Sequence, residues 1–110
     1  MTLYRLVYTP HEVKLFKEPF IFEWDKGNKD KNWTLHQVTY QECEEVFYDP
    51  KKKVFKDNLH SGKEERYLIL GNTKRNRLLF VAFTQRGDKL RVISARHLNK
   101  KERFLYEEET

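Results

Sequence analysis

The 110-residue sequence predicts an α+β fold, in which a small antiparallel sheet of four to five strands follows two helices and precedes a third. Helix-capping patterns occur before residue 50 and after residue 98, whereas residues 53–95 alternate or run apolar over strand lengths. Short turn sequences between those runs favour an antiparallel meander. The length suits one hydrophobic core, so residues 1–110 are predicted to form a single domain.

The N-terminal part is predicted to contain an extension, a short strand and a helix. Residues 1–19 are mixed in character and are expected to be irregular or to add a single strand. Residues 20–24 are rich in strand-forming types and begin the predicted core, which spans residues 20–107. Asp25 is a suitable N-cap for a helix over about Lys26–His36.

A capping-box pattern predicts the second helix. Thr39 stands at the N-cap position and Glu42 three residues later, and Pro50 ends the helical pattern. Cys43 falls on the apolar side of this helix, so it is interpreted as a small buried residue and not as a nucleophile.

Strands and one further helix account for the second half. The predicted strands cover residues 53–56, 65–70, 78–84 and 89–95, with turns at 71–76 and 85–88. Asn99 and Glu102 form another capping box, which predicts a helix over residues 100–106.

Alternation along the last strand suggests an anion site. It places Leu90, Val92, Ser94 and Arg96 on one face and Lys89, Arg91, Ile93 and Ala95 on the other. Small residues next to Arg96 leave room for an anionic ligand. Alternatively, Arg96 lies at the strand end and pairs with Glu102.

Positive charge is concentrated in the second half of the chain. The net charge is +5 overall and +8 over residues 56–106, where seven of the eight arginines lie. Arginine binds phosphate through two parallel hydrogen bonds, so this segment indicates an anionic partner, most often nucleic acid. The alternative is a solvated surface without a specific partner.

Composition also limits the class of protein. The aromatic fraction of 15% argues against disorder, and no apolar run is long enough to cross a bilayer. The single cysteine excludes an internal disulfide, and the first ten residues lack a signal-peptide cleavage pattern. These features predict a soluble cytoplasmic protein that does not bind membranes.

A loop around His60 combines groups suited to proton transfer. The His60 imidazole is a base with a pKa near neutral. Shortly after it, Glu64 and Glu65 supply carboxylates and Arg66 supplies a fixed cation. A solvated loop has the same composition. The four histidines (His11, His36, His60 and His97) lack ligand spacing, so no metal or other cofactor is predicted.

An ordered set of motifs resembles the BrnT-like ribonuclease toxins of bacterial toxin–antitoxin pairs. The likeness runs over about residues 22–107. It is carried by Phe22-Glu23-Trp24-Asp25, Asn32, His36, Val38, Val46-Phe47, Asp49-Pro50, His60, Glu64-Glu65-Arg66, Gly71, Leu78-Leu79-Phe80-Val81, Arg86-Gly87-Asp88, Arg91, Ile93-Ser94-Ala95-Arg96, Glu102-Arg103 and Tyr106. The chain departs from the family at Leu35-His36-Gln37, where Lys-His-Gly is usual, and residues 1–19 extend beyond the usual start.

The resemblance implies a RelE-like fold and metal-independent endonucleolytic RNA cleavage that inhibits translation and growth. It also implies neutralisation by a DNA-binding antitoxin, expected to be ribbon-helix-helix-like, in a hetero-oligomer with the toxin. Metal-free cleavage needs a base, phosphate-binding cations and a proton donor. Candidates are Arg96 for the scissile phosphate, Glu65 or His60 as base, His36 as acid, and Arg66, Arg91 and Arg103 for RNA phosphates.

Two other functions stay open at this point. The chain could be a catalytically degenerate toxin-like module that binds RNA or a protein partner without cleavage, which the missing family lysine at Leu35 favours. It could also be a structural partner of a DNA-binding protein.

Overall fold

A computed structural model describes residues 6–8, 18–57, 62 and 64–108, which form an α+β fold with one mixed sheet. The sheet order is β1-β3-β4-β5-β6-β2. The elements are β1 (Leu6–Tyr8), β2 (Phe22–Glu23), α1 (Lys26–His36), α2 (Tyr40–Phe47), β3 (Lys53–Asp57), β4 (Arg66–Asn72), β5 (Leu78–Arg86), β6 (Lys89–His97) and α3 (Lys100–Glu107).

The predicted class and the order of the helices are confirmed, but the purely antiparallel sheet of four to five strands needs correction. Strands β3 to β6 form the expected antiparallel meander. The short strand β1 adds antiparallel to β3, and β2 pairs parallel with β6, so the sheet formed by the described residues has six strands and is mixed. Strand β2 pairs with β6, which lies far away along the chain, so its parallel orientation does not follow from the local sequence of two residues.

All three helices begin at the predicted residues. Asp25, Thr39 and Asn99 are the N-caps, and each closes a reciprocal capping box with the residue three positions later. These boxes satisfy backbone N–H groups that the first helical turn leaves without partners. Helix α1 ends at Gln37, which adopts the left-handed conformation (φ 54°, ψ 42°).

Apolar side chains pack on both faces of the sheet. One face, called the α2 face, packs against Val46 and Phe47 of α2 and contains Tyr67, Ile69, Leu79, Val81, Phe83, Leu90, Val92 and Ala95. The other, called the α3 face, packs against Leu105 and Tyr106 of α3 and contains Phe55, Leu68, Leu70, Phe80 and Ala82. None of the described helices is long and apolar enough to cross a membrane.

Polar contacts also fasten α3 to the sheet. Lys53 donates from Nζ to the carbonyl oxygens of Leu105 (2.7 Å) and Glu108 at the C-terminal end of the helix, where a cation is favourable. The Tyr106 hydroxyl donates to Asp49 at 2.6 Å. The position of α3 therefore depends on directional bonds as well as on apolar burial.

A β-bulge in β6 corrects the predicted alternation of side chains. Ser94 lies opposite Ala82 and Val92 opposite Phe83, so Ile93 is an extra residue in its strand. One extra residue reverses the faces of everything beyond it. Leu90 and Val92 therefore lie on the α2 face, whereas Ser94 and Arg96 lie on the α3 face; the predicted single face for all four was wrong.

Candidate functional site

Two of the predicted phosphate-binding arginines lie in one row across the sheet. Arg66 on β4 is opposite Thr84 on β5, which in turn is opposite Arg91 on β6. Thr84 has the same strand parity as Ala82, so the row lies on the α3 face. The backbones of the two outer strands are about 10 Å apart, a separation that arginine side chains can bridge towards one phosphate group.

This row forms the wall of a cleft at the edge of the sheet. The cleft has a volume of about 530 Å³, and its basic side chains are Lys31 of α1, Arg66, Arg86 of β5 and Arg91. Thr84, Asp25 and Glu64 also line it. We call this site the arginine cleft and define it by these residues.

Carboxylates hold two of the arginines of the arginine cleft in position. Arg86 donates to Glu64 through Nε (2.7 Å to Oε2) and Nη2 (3.1 Å to Oε1). Arg91 donates from Nη2 to Asp25 at 2.6 Å and from Nη1 to Glu23 at 3.4 Å. A phosphate offers the same pair of acceptor oxygens, so it can replace a carboxylate in this geometry.

The same contacts keep the carboxyl groups ionised. The backbone N–H of Asn28, followed by the Arg91 guanidinium, lowers the pKa of Asp25 below its ordinary value. The hydrogen bonds from Arg86 lower the pKa of Glu64. Both groups are therefore anionic at neutral pH.

Two asparagines of α1 hold the bulged part of β6. Asn28 donates from Nδ2 to the carbonyl oxygen of Val92 (3.2 Å), and the Oδ1 of Asn32 accepts from the backbone N–H of Ala95 (2.9 Å). These bonds satisfy the outer edge of β6 beyond the short partner β2. Because Arg91 and Arg96 are five residues apart, regular alternation would put them on opposite faces; the bulge brings both to the α3 face.

Arg96 pairs with Glu102, which was the alternative to an anion site in the sequence analysis. Its guanidinium donates to both carboxylate oxygens of Glu102 at 2.7 Å and lies 4.0 Å from the centre of the Phe80 ring. Glu102 is completely buried, and it also accepts from the backbone N–H of Asn99 to cap α3. Arg96 thus connects β6 to α3, and its role at the scissile phosphate stays a prediction.

Glu65, one of the two candidate bases, lies outside the arginine cleft. Glu65 accepts from Lys56 (2.8 Å) and from the hydroxyl of Tyr67 (2.8 Å), and these two contacts, in that order, lower its pKa. Tyr67 belongs to the α2 face, so Glu65 points away from Arg66. His60 lies outside the described residues.

The remaining candidates are also apart from the arginine cleft. His36 is exposed at the C-terminal end of α1, whereas Asp25 at the N-cap and Lys31 in the middle of the helix line the cleft. At 1.5 Å per residue, His36 lies about 16 Å along the helix axis from Asp25 and about 8 Å from Lys31. Arg103 is exposed on α3.

Two basic residues of the arginine cleft, Lys31 and Arg86, were not among the site residues predicted from the sequence. The structure also shows how a third position, Leu35, relates to the cleft. Arg86 fell within a predicted turn and Lys31 within the predicted first helix, although their basic character was the available signal. Leu35, where the family usually has lysine, is 61% exposed and lies one helical turn after Lys31. Residues four apart share a helix face, so a lysine at this position would extend the cationic surface of the cleft.

Cys43 is confirmed as a small buried residue. Burial, followed by the nearby charges of Glu42 and Glu44, raises the pKa of its thiol to about 12, so the reactive thiolate is not populated at neutral pH. Among the described residues, no group of three His, Cys, Asp or Glu side chains is arranged to hold a metal ion.

Comparison with known proteins places this geometry in a family. No curated protein matches the chain. The family model described as the ribonuclease toxin, BrnT, of type II toxin–antitoxin systems matches residues 24–102. This range includes α1 and α2, the meander, the whole arginine cleft and the Arg96–Glu102 pair. The match covers most of the sequence, and the chain therefore belongs to the BrnT family of ribonuclease toxins.

Proposed function

We propose that this protein is an RNA endonuclease toxin that cleaves without a metal ion and uses the arginine cleft as its active site. The observation that carries the assignment is the row formed by Arg66, Thr84 and Arg91, with Lys31 and Arg86 completing a cationic cleft of phosphate-binding size. In metal-free cleavage such cations stabilise the negative charge that develops on the phosphorane.

The chemistry follows from the groups that line the cleft. The RNA 2′-hydroxyl attacks the adjacent phosphate held by Arg66 and Arg91, and an ionised carboxylate takes up its proton. Glu64 is the proposed acceptor because it lines the cleft, whereas Glu65 faces the other side of the sheet. The Lys31 ammonium is the proposed proton donor to the leaving 5′-oxygen. The products are a 2′,3′-cyclic phosphate and a 5′-hydroxyl.

A type II system also supplies an antitoxin protein, and we place it over the arginine cleft. Acidic side chains of the antitoxin can replace Asp25 and Glu64 as partners of the arginines and thereby exclude RNA phosphate. The ribbon-helix-helix character of this antitoxin, its DNA binding and the cytoplasmic location of the pair belong to the same proposal.

Cleavage of a defined RNA by the purified protein in the presence of EDTA tests the assignment. We expect Arg66→Ala and Arg91→Ala each to lower the cleavage rate about 100- to 1,000-fold, the usual effect of removing one donor to a developing oxyanion. Lys101→Ala, an exposed lysine of α3 outside the cleft, is the matched control and should cleave like wild type. Equal loss in all three variants would contradict a local role for the cleft.

Leu35→Lys separates an active toxin from a degenerate one. It should raise the rate several-fold because it adds a phosphate contact beside Lys31. If wild type and Leu35→Lys both bind RNA and neither cleaves it, the protein is a toxin-like binding module without nuclease activity.

A further inference from the structure

We infer that a second cavity, on the other side of α1 from the arginine cleft, binds an unstacked base of single-stranded RNA. The cavity has a volume of about 750 Å³ and lies between the end of α1, the start of α2 and the β4–β5 turn. The lining residues that matter here are Trp33 of α1, Glu42 and Glu45 of α2, and Lys74, Arg75 and Arg77 of the β4–β5 turn. This inference rests on the proposed RNA substrate and adds a subsite to it.

Trp33 provides an exposed aromatic surface at this cavity. Its side chain is 55% exposed, and among the described residues its ring packs against no other aromatic ring. The second tryptophan differs: Trp24 is partly buried, donates from Nε1 to Glu44 at 2.7 Å and packs edge-on against Tyr40. Trp33 therefore leaves a large apolar face available for stacking.

The β4–β5 turn opposite Trp33 is held rigidly. The Thr73 hydroxyl accepts from the backbone N–H groups of Arg75 (3.3 Å) and Arg77 (3.1 Å). Glu45 of α2 accepts from the backbone N–H of Lys74 at 3.0 Å. The backbone that carries Lys74 and Arg75 is thus fixed before any ligand binds, which reduces the entropy cost of binding.

The three basic residues of the cavity differ in whether a carboxylate pairs with them. Arg77 donates twice to Glu42 (2.7 and 2.6 Å) and once to the carbonyl oxygen of Gln37 (3.2 Å), so it ties the turn to both helices. Lys74 and Arg75 are exposed, and in the described part of the chain no carboxylate pairs with their side chains. These two cations are available for an anion.

An exposed tryptophan facing two available cations suits a nucleotide whose base is unstacked. The base stacks on the indole ring, and its phosphate contacts Lys74 or Arg75. Double-stranded RNA fits less well because its bases stay stacked inside the helix. Lys31 of the arginine cleft and Trp33 lie within one turn on different sides of α1, so one strand that crosses α1 can reach both sites.

Fluorescence titration with a short single-stranded 2′-O-methyl RNA tests the subsite. This probe cannot be cleaved by a 2′-hydroxyl attack, so its binding is measured whether or not the protein is a nuclease. We expect Trp33→Ala to raise the Kd about 5- to 150-fold, the usual effect of losing one stacked base. Trp33→Phe should keep the Kd within about threefold of wild type because phenylalanine still stacks, yet lose the tryptophan quenching that wild type shows on binding.

Matched variants control for general effects. Phe104→Ala removes another exposed aromatic ring (71% exposed), on α3, and should leave the Kd unchanged. Arg75→Ala should reduce the slope of log Kd against log salt concentration by about 0.7, and Lys101→Ala should not change it. Thermal melting of each variant verifies folding.

The outcomes distinguish the subsite from the proposed function. Unchanged RNA affinity in Trp33→Ala overturns the subsite. So does a result in which Trp33→Ala weakens only the antitoxin complex, because the cavity is then a protein-docking surface. If Trp33→Ala weakens RNA binding but wild type cleaves no RNA, the subsite stands and the nuclease proposal fails.

Discussion

Replacement of Asn32 by leucine should destabilise the protein by removing the bond that holds the bulged strand. Asn32 is 1% exposed, and its side chain accepts from the backbone N–H of Ala95 at 2.9 Å and donates to the carbonyl oxygen of Asn28 at 3.1 Å. Leucine has a similar volume but offers neither an acceptor nor a donor. The N–H of the fully buried Ala95 is then left without a partner.

The magnitude follows from these two bonds. A buried backbone donor without a partner costs about 1–3 kcal/mol, and the lost side-chain bond to Asn28 contributes about 1 kcal/mol more. The carbonyl of Asn28 keeps its helical bond, so no second unsatisfied group is created. We therefore expect a loss of about 2–4 kcal/mol in the free energy of unfolding, or roughly 8–16 °C in Tm for a domain of this size.

Urea unfolding of Asn32→Leu beside Asp30→Ala measures this loss. Asp30 lies exposed on the same helix, so its substitution should change the free energy of unfolding by less than about 0.5 kcal/mol. A loss for Asn32→Leu no larger than that of Asp30→Ala would refute the reasoning, because the edge of β6 would then not depend on the asparagine. Weaker RNA binding by the still-folded variant is also expected, since the bulge places Arg91 and Arg96 on one face.

Three further substitutions or conditions test the same structure. Arg96→Ala should lower the free energy of unfolding by about 2–4 kcal/mol, because the buried carboxylate of Glu102 loses its cation; unchanged urea unfolding with lost cleavage would favour a phosphate-binding role instead. Gln37→Gly should raise the free energy of unfolding by about 0.5–1 kcal/mol, because glycine adopts the left-handed conformation without the steric cost of a side chain; a decrease in urea unfolding would contradict this. The pKa values of Asp25 and Glu64 are lower in the folded protein than their ordinary values of 3.8 and 4.5. Both carboxylates therefore stabilise the fold at a pH above these ordinary values, and this stabilisation is lost as the pH falls through the lower pKa values of the folded protein. Unfolding followed from about pH 6 to about pH 3 should show this loss, and Glu64→Gln should make it smaller.

Features set by neighbouring residues could be predicted from the sequence. Each N-cap depends on a hydrogen bond across three positions, so Asp25, Thr39 and Asn99 were recognisable without knowledge of the fold. The last three strands of the meander were predictable because turn residues at 71–76 and 85–88 separate runs of strand length. The left-handed Gln37 gives a physical reason for the glycine that the family usually has at this position.

Features set by distant residues could not be predicted. The bulge at Ile93 depends on Asn28 and Asn32, more than 60 positions away along the chain, and a count of alternating residues cannot detect it. The arginine cleft similarly requires the register that places Arg66 and Arg91 on either side of Thr84. Sequence reasoning therefore identified two of its arginines by type, but it could not tell that Glu64, and not Glu65, lies beside them.

Carboxylates from the first half of the chain neutralise part of the positive charge of the second half. Its net charge suggests a strong positive field, yet Arg77 is neutralised by Glu42 and Arg91 by Asp25, and both acids come from the electrically neutral first half. A partly exposed ion pair such as Arg91–Asp25 contributes only about 0–1 kcal/mol, so a phosphate displaces this carboxylate at little cost once it is in contact. These ion pairs weaken the long-range attraction between the arginines and RNA. They leave the arginines able to bind a phosphate that comes into direct contact. An antitoxin that presents carboxylates in the same geometry would compete on equal terms with RNA, and this competition is what the proposed function requires of the arginine cleft.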